Sequence, residues 1–243
     1  MHDYYGWRAR IGLIYIADST VMEPELYAMA PEGVSIHTAR IDLADPSAAG
    51  LASMMAGAEV EAAARLLGKA PLHVVTFGGT SATFLEGMGF DRKVIARMEG
   101  VLPGIPASTT STAALRALRA LGVRRISFVS PYVADIVELG RRFFTENGFD
   151  VTGAHGLGIA DDPGLNSLPL ERMYAFAKQV VEPEAEAVFI SCTAVRTIGA
   201  IEALEEDLGR PVVSANQATF WDALRIAGVG GGKPGFGSLF DYP

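Results

Sequence analysis

The chain of 243 residues contains one cysteine and only four histidines. A single cysteine excludes an internal disulfide, so a reducing compartment suits the chain and we expect a cytoplasmic protein. The histidines (His2, His37, His73 and His155) show no paired spacing, and Cys and His are too few for a typical metal centre. The sequence therefore predicts a protein without a bound metal.

Basic residues are also scarce, because 20 Lys and Arg stand against 28 Asp and Glu, giving a formal net charge of −8. Contacts with nucleic acid phosphates need clustered Lys and Arg, and the chain has only short pairs such as Arg124-Arg125. Apolar runs of transmembrane length and the apolar segment of a secretory signal are both missing. We therefore expect no nucleic acid partner and no membrane partner.

Two motifs of cofactor and hydrolase chemistry are missing as well. No dinucleotide fingerprint follows the first apolar run at residues 11–16, and no G-x-S-x-G elbow is present. Residues 228–234 resemble a phosphate loop, but Lys233 is followed by proline instead of Ser or Thr. The sequence thus predicts chemistry that needs no cofactor.

Strand-like and helix-like runs alternate along the chain, which predicts parallel sheets covered by helices. The strand-like runs are residues 11–16, 34–41, 72–77, 105–107, 124–130, 149–155, 186–191 and 211–214. The helix-like runs are residues 47–68, a segment from about 81, and residues 111–121, 133–147, 169–181, 194–208 and 218–227.

The second half of the chain repeats the order of the first. We expect an α/β fold with two pseudo-symmetric lobes facing each other across a cleft. The first lobe comprises residues 1–122 with 222–243, and the second comprises residues 123–221. The glycine-rich end, residues 228–243, is expected to pack back on the first lobe.

One motif occurs twice, each time directly after a predicted strand. Residues 77–81 read FGGTS and residues 190–194 read ISCTA. Ligands of parallel sheets bind beyond the carboxyl ends of the strands, where backbone N–H groups and hydroxyls form an anion site. Two such motifs facing each other would hold a carboxylate with a reacting carbon between them. The alternative interpretation is that small residues merely allow two tight turns.

The two motifs differ at their centre, where one has Gly79 and the other Cys192. A lone cysteine is often a small buried apolar residue. This one precedes Thr193 at a strand end, where backbone N–H groups can tune its thiol. A free thiol with a pKa of about 8.5 is mostly protonated at neutral pH, so it can donate a proton and return through the thiolate.

The repeated motifs belong to a wider likeness that covers nearly the whole chain. The sequence resembles the aspartate/glutamate racemase superfamily, and within it the arylmalonate decarboxylases, in residues 79–87, 111–132, 191–192, 211–223 and 233–241. The resemblance implies a cofactor-independent enzyme with two facing lobes. In the racemases and maleate isomerases each lobe supplies a cysteine, at the positions of Gly79 and Cys192. The decarboxylases keep only the second cysteine.

The resemblance also implies a role for each site residue. The retained carboxylate would lie in a dioxyanion hole formed by Thr80, Ser81, Tyr132 and the backbone N–H of Thr193. Cys192 would deliver a proton to one face of the enediolate left after carbon dioxide departs. Because Gly79 replaces the first thiol, one-sided protonation remains available and two-thiol racemisation does not.

The segment after the first strand departs from the decarboxylase pattern. Residues 17–23 read ADSTVME, with Ser19 where maleate isomerases place an asparagine, and Asp162 lies near their second asparagine. Asp18, Ser19 and Asp162 are therefore further candidates for substrate binding, in a pocket more polar than an aryl group needs. The alternative is that Asp18 and Ser19 cap the helix that follows.

These observations predict a decarboxylase that acts on a 2-substituted malonate-type dicarboxylic acid, with Cys192 as the proton donor. One alternative is an isomerase or racemase of the same superfamily that uses Cys192. A second alternative is a protein that binds a dicarboxylate without turning it over. We expect a monomer or a small homo-oligomer whose partner is a small dicarboxylic acid.

Overall fold

The computed structural model describes residues 5–243, so His2 lies outside the described residues. The first half of the chain forms a parallel sheet with the strand order β2-β1-β3-β4. Its strands are β1 Ala9–Ile16, β2 Val34–Ile41, β3 Val74–Gly78 and β4 Ala107–Thr109. β1 and β3 are apolar and almost wholly buried because helices cover both faces of a parallel sheet.

The second half forms another parallel sheet with the corresponding order β6-β5-β7-β8. Its strands are β5 Arg125–Ser130, β6 Asp150–Gly156, β7 Ala187–Ile190 and β8 Val212–Ser214. β5 takes the place of β1, and β7 takes the place of β3. The two sheets confirm the predicted α/β architecture with two similar halves.

Helices connect the strands. They are α1 Met22–Met29, α2 Ala48–Ala56, α3 Glu59–Leu67, α4 Thr80–Phe84, α5 Phe90–Glu99, α6 Thr110–Ala120, α7 Ala134–Glu146, α8 Asp162–Ser167, α9 Leu170–Val180, α10 Ile201–Leu208 and α11 Ala215–Ile226. Short 3₁₀ helices span Ile198–Ala200 and Ser238–Asp241. In residues 5–243 no helix combines the length and the apolar character needed to cross a bilayer.

Three predicted helices were wrong in extent. Residues 47–68 form α2 and α3 instead of one helix, because Gly57 is extended (φ −74°, ψ −176°) between them. The helix predicted for residues 194–208 begins only at the 3₁₀ turn Ile198–Ala200. The last helix starts at residue 215 instead of 218, because Ser214 and Gln217 form a capping box.

The predicted loop after β6 contains α8, and the predicted cap for α1 is not used. Asp161 caps α8 by accepting a hydrogen bond from the Gly164 backbone N–H at 2.7 Å. The N-cap of α1 is Val21, and no side chain caps that helix. The alternative that Asp18 and Ser19 serve as helix caps was therefore wrong.

The lobes meet through an aromatic contact and a buried carboxylate. The Phe84 ring of α4 packs edge-on against Phe128 and Tyr132, with ring centroids 6.4 Å apart in both pairs. Glu25 of α1 accepts hydrogen bonds from the backbone N–H groups of Thr197 and Ile198, at 2.6 and 3.2 Å. These contacts fix the position of one carboxyl-terminal sheet edge relative to the other.

The C-terminal segment lies against both halves. Gln217 of α11 donates to the carbonyl of Phe236 at 2.6 Å, and Ser238 donates to Glu205 of α10 at 2.8 Å. Lys233 reaches a carbonyl of α1 at 3.0 Å. Of these three contacts, only that of Lys233 with α1 fits the expected packing on the first lobe. The division of the chain into lobes at residues 122 and 222 stays a prediction.

Candidate active site

The two motifs lie at the carboxyl ends of β3 and β7, the equivalent strands of the two sheets. Gly79 directly follows β3 and is the N-cap of α4, while Cys192 stands two residues beyond β7. Thr193 donates a hydrogen bond from Oγ1 to the carbonyl oxygen of Gly78, at 3.3 Å. The motifs are therefore in direct contact across the lobes.

A cavity of about 130 Å³ lies between the motifs, with room for a small organic acid. All nine residues that the sequence singled out line it: Asp18, Ser19, Gly79, Thr80, Ser81, Tyr132, Asp162, Cys192 and Thr193. Apolar wall residues that the sequence did not single out include Leu43, Ile159 and Leu165. They come from loops and from α8, and no motif marks them in the sequence.

Two buried hydroxyls on the cavity wall lack a hydrogen-bond partner within the described residues. They are Thr80 Oγ1 and Ser19 Oγ, and each residue is only 2% exposed. Buried hydroxyls are nearly always paired, because leaving one unpaired costs about 1–3 kcal/mol. Both hydroxyls therefore have unused hydrogen-bonding capacity in residues that line the cavity.

Cys192 has a backbone conformation that side chains rarely adopt. Its φ is +99°, and no other non-glycine residue among residues 5–243 has a positive φ. In this conformation the Ala194 backbone N–H points at the Cys192 sulfur, 3.4 Å away. Such strain concentrates at functional sites. The sequence contains no signal for it.

The Cys192 thiol is held in its protonated form. Burial, with a smaller contribution from the charge of Asp162, raises the pKa of Cys192 to about 11. The backbone N–H groups of Ala194 and Val195 and the Tyr132 hydroxyl lower the pKa of Cys192 by smaller amounts. A protonated thiol is an acid before it is a nucleophile. Once it has given up its proton, the same N–H groups stabilise the thiolate.

Tyr132 is a second buried proton donor beside the thiol. Burial, and then the neighbouring charge of Cys192, raise the pKa of the Tyr132 phenol well above its ordinary value. Ser191 Oγ contacts the phenol oxygen at 3.5 Å, and Ser81 also interacts with it. The phenol therefore stays protonated and can donate to an anion in the cavity.

The segment that carries Asp18 and Ser19 is held from behind. Arg40 donates from Nη1 to the carbonyls of Ala17 and Ser19, at 2.7 and 3.0 Å, and Tyr15 OH donates to the Ser19 carbonyl at 2.8 Å. Arg40 also pairs with Glu23 at 2.5 Å, so its charge is balanced. Sequence reasoning missed these supporting residues because Tyr15 and Arg40 look like ordinary strand positions.

Asp18 and Asp162 meet on the wall formed by this segment and α8. Burial, together with the charge of Asp18 and a hydrogen bond with it, raises the pKa of Asp162 to about 6. Asp135 also lines the cavity, whereas its lining residues include no Lys, Arg or His. In residues 5–243 no cluster of three or more His, Cys, Asp or Glu side chains is arranged to hold a metal ion.

Known proteins with this sequence pattern and this fold are enzymes. A family model for arylmalonate decarboxylase matches residues 11–240. The chain is 37% identical to an arylmalonate decarboxylase from Bordetella bronchiseptica, over 73% of this chain and 75% of that protein. A maleate isomerase from Geobacillus stearothermophilus is 26% identical, over 95% and 96% of the two chains.

The structural match agrees with the sequence match. A crystal structure of a double mutant of arylmalonate decarboxylase in its liganded form superposes with a TM-score of 0.88 at 31% identity, covering 96% of this chain and 99% of that one. The resemblance to the aspartate/glutamate racemase superfamily is thereby confirmed, together with its fold. The chain belongs to the arylmalonate decarboxylase family.

Proposed function

We propose that this protein is a cofactor-independent decarboxylase of a 2-substituted malonate, in which Cys192 protonates the product carbon from one side. The observation that carries the proposal is the pairing of a protonated, buried thiol with a glycine at the equivalent place in the other lobe. Family membership supports the reaction class. Because a maleate isomerase is also among the relatives, isomerisation is the alternative to be tested.

The first step is the breaking of a carbon–carbon bond. The retained carboxylate lies against donors from both lobes: the Thr80 and Ser81 hydroxyls, the Tyr132 phenol and the Thr193 backbone N–H. As carbon dioxide leaves, the bonding electron pair moves onto the retained carboxylate and gives an enediolate. Fixed donors aimed at such an oxyanion are each worth about 10²- to 10³-fold in rate. Thr80 Oγ1, which has no hydrogen-bond partner among residues 5–243, suits this role.

The second step is proton transfer. The Cys192 S–H gives its proton to the α-carbon, which forms the C–H bond of the monocarboxylic acid and leaves a thiolate. The Ala194 N–H, 3.4 Å from the sulfur, stabilises that thiolate until water returns a proton. The net reaction consumes one proton and releases one carbon dioxide. Since no acid or base side chain occupies position 79, the proton arrives on one face only.

The isomerase alternative uses Cys192 differently. It rests on the similarity to a maleate isomerase over 95% of the chain. Covalent attack on a double bond requires a thiolate in the resting enzyme, and a Cys192 pKa of about 11 opposes that form near neutral pH. The high pKa of the Cys192 thiol therefore favours its use as an acid over its use as a nucleophile.

The test is a panel of 2-substituted malonates assayed for carbon dioxide release, with maleate as a parallel substrate. We expect release from malonates and a loss of about 10²- to 10⁴-fold in Cys192→Ala, the range for a general acid. Cys192→Ala should still be stabilised thermally by the malonates, because the carboxylate donors remain. Conversion of maleate to its trans isomer without malonate turnover would replace the proposal by the isomerase. Binding without any turnover would indicate a dicarboxylate-binding protein.

A further inference from the structure

The cavity wall away from the carboxylate donors carries negative charge and no positive charge. Asp18 and Asp162 meet on it, and Asp45 and Asp161 stand close enough to raise the pKa of Asp162. Arg40, which supports the segment carrying Asp18, is turned to backbone carbonyls and to Glu23. A substrate with two carboxylates meets an unfavourable field here unless it brings a positive charge.

A second observation makes this wall a binding site instead of a mere acidic patch. Ser19 is 2% exposed and lines the cavity, and its Oγ has no hydrogen-bond partner within the described residues. Its backbone carbonyl is anchored by Tyr15 and Arg40, so this part of the chain is held in place. The unpaired hydroxyl and the two carboxyl groups therefore offer acceptor oxygens to a ligand that brings N–H donors.

Three kinds of occupant can be compared. An aryl ring would bury these oxygens without partners, at about 1–3 kcal/mol for each. A second carboxylate would meet the negative charge of Asp18 and, above pH 6, that of Asp162 as well. A protonated amino group supplies three N–H donors and the compensating charge.

We propose that Asp18, Ser19 and Asp162 form a subsite for an ammonium group on the substrate, so that the enzyme takes a malonate with an amino-bearing substituent. This inference rests on the proposed function, because it names the substituent of the malonate that the enzyme decarboxylates. The carboxylate donors would hold one end of the substrate, and the acidic wall would hold its substituent. The enzyme would then select the substituent by its charge instead of by the shape of an aromatic ring.

The experiment compares malonates of matched shape. 2-(Aminomethyl)malonate and 2-ethylmalonate differ by an ammonium in place of a methyl group, and 2-aminomalonate and 2-methylmalonate form a shorter pair. 2-(Hydroxymethyl)malonate is the uncharged polar control. We expect kcat/KM to favour the amino compound of at least one pair by about 10- to 100-fold, the range of a charge-assisted hydrogen bond. Equal rates within both pairs, or equal rates for hydroxymethyl and aminomethyl, would overturn the inference.

Two aspartate variants separate the subsite from the general field. Asp162→Asn should reduce the preference for the amino compound about 10-fold or more and leave 2-ethylmalonate turnover within a few-fold. Asp161→Asn is the matched control, since it removes the same charge one residue away and asparagine still caps α8. An equal loss of preference in the two variants would contradict a specific subsite.

Binding keeps the inference testable apart from turnover. In Cys192→Ala, calorimetry should show tighter binding of 2-(aminomethyl)malonate than of 2-ethylmalonate, and the difference should grow from pH 5 to pH 7. The reason is that Asp162 loses its proton across pH 6, next to Asp18, Asp45, Asp161 and the removed thiol. If this preference holds while no malonate is decarboxylated, only the proposed reaction fails. If malonates are decarboxylated without any preference, only the subsite fails.

Discussion

The two copies of the repeated motif occupy equivalent places in the two lobes but have different backbones. After β3 the chain turns at once into α4, and Gly79 has an ordinary extended φ of −154°. After β7 it stays irregular up to the 3₁₀ helix Ile198–Ala200, and Cys192 has a φ of +99°. Backbone N–H groups of residues 194–198 therefore reach the sulfur of Cys192 and the carboxylate of Glu25. In the proposed reaction, the end of β3 supplies hydroxyl donors, and the end of β7 also supplies the acid.

The largest expected effect comes from making the second motif resemble the first. Cys192→Gly should reduce turnover by about 10²- to 10⁴-fold, because the general acid is removed. The same variant should be more stable than Cys192→Ala by about 1 kcal/mol, since glycine adopts a positive φ without strain. Urea unfolding of the two variants measures that difference. Equal stability would show that the conformation of Cys192 stores no strain.

The matched threonines provide a smaller contrast. Thr80 Oγ1 has no partner in the described chain, whereas Thr193 Oγ1 donates to the Gly78 carbonyl at 3.3 Å. Thr80→Val should lower kcat by about 10²- to 10³-fold with little change in stability. Thr193→Val should instead cost about 1 kcal/mol of unfolding free energy and affect kcat much less, because its backbone N–H remains. A loss of stability in Thr80→Val and a loss of kcat in Thr193→Val would contradict the proposed role of the Thr80 hydroxyl as a donor.

A thiol in the first motif should restore two-sided chemistry. In Gly79→Cys the new Cβ would lie 2.9 Å from the buried Phe77 ring, so we expect a loss of about 1–3 kcal/mol in stability. We also expect racemising activity toward the product acid, measured as loss of enantiomeric purity during incubation. Gly79→Ala is the control, since it has the same crowding without the thiol. Product that stays enantiopure with the folded cysteine variant would argue against the two-thiol reasoning.

The smallest perturbation is chemical modification of the unaltered enzyme. Because the pKa of Cys192 is about 11, few of its thiols are ionised at pH 8, where a free thiol is partly ionised. Alkylation by iodoacetamide at pH 8 should therefore be at least about 100-fold slower than for a small-molecule thiol, and should accelerate up to pH 11. Mass spectrometry of the intact chain measures the rate. Rapid alkylation at pH 7 would reveal a resting thiolate and favour the nucleophilic alternative.

The sequence was most informative where physical rules are local. Apolar runs identified the strands, with bounds that differ from the observed ones by at most two residues, since burial on both sheet faces demands such runs. The repeated motif located the cavity because ligands bind beyond the carboxyl ends of parallel strands. The composition of residues 47–68 favoured one helix, but the extended conformation of Gly57 divides it into two. The presence of a glycine does not by itself predict that conformation.

Contacts between distant segments could not be predicted. The partners of Glu25 lie more than 170 positions away, and they keep residues 193–197 from forming a helix. Asp18 and Ser19 have the composition of a helix cap, and only the fold places them on the cavity wall instead. Arg40 and Tyr15 fix that segment through its backbone carbonyls, which the sequence does not indicate.

The most direct test of the central claim follows the stereochemistry of the proton. A malonate whose C2 carries two different substituents, neither of them hydrogen, is decarboxylated in deuterium oxide. The product is examined by chiral chromatography and mass spectrometry. Protonation by Cys192 from one face predicts a single enantiomer with one deuterium at the α-carbon, and no further exchange on prolonged incubation. A racemic product from the enzymatic reaction, or continued exchange of that hydrogen, would contradict it.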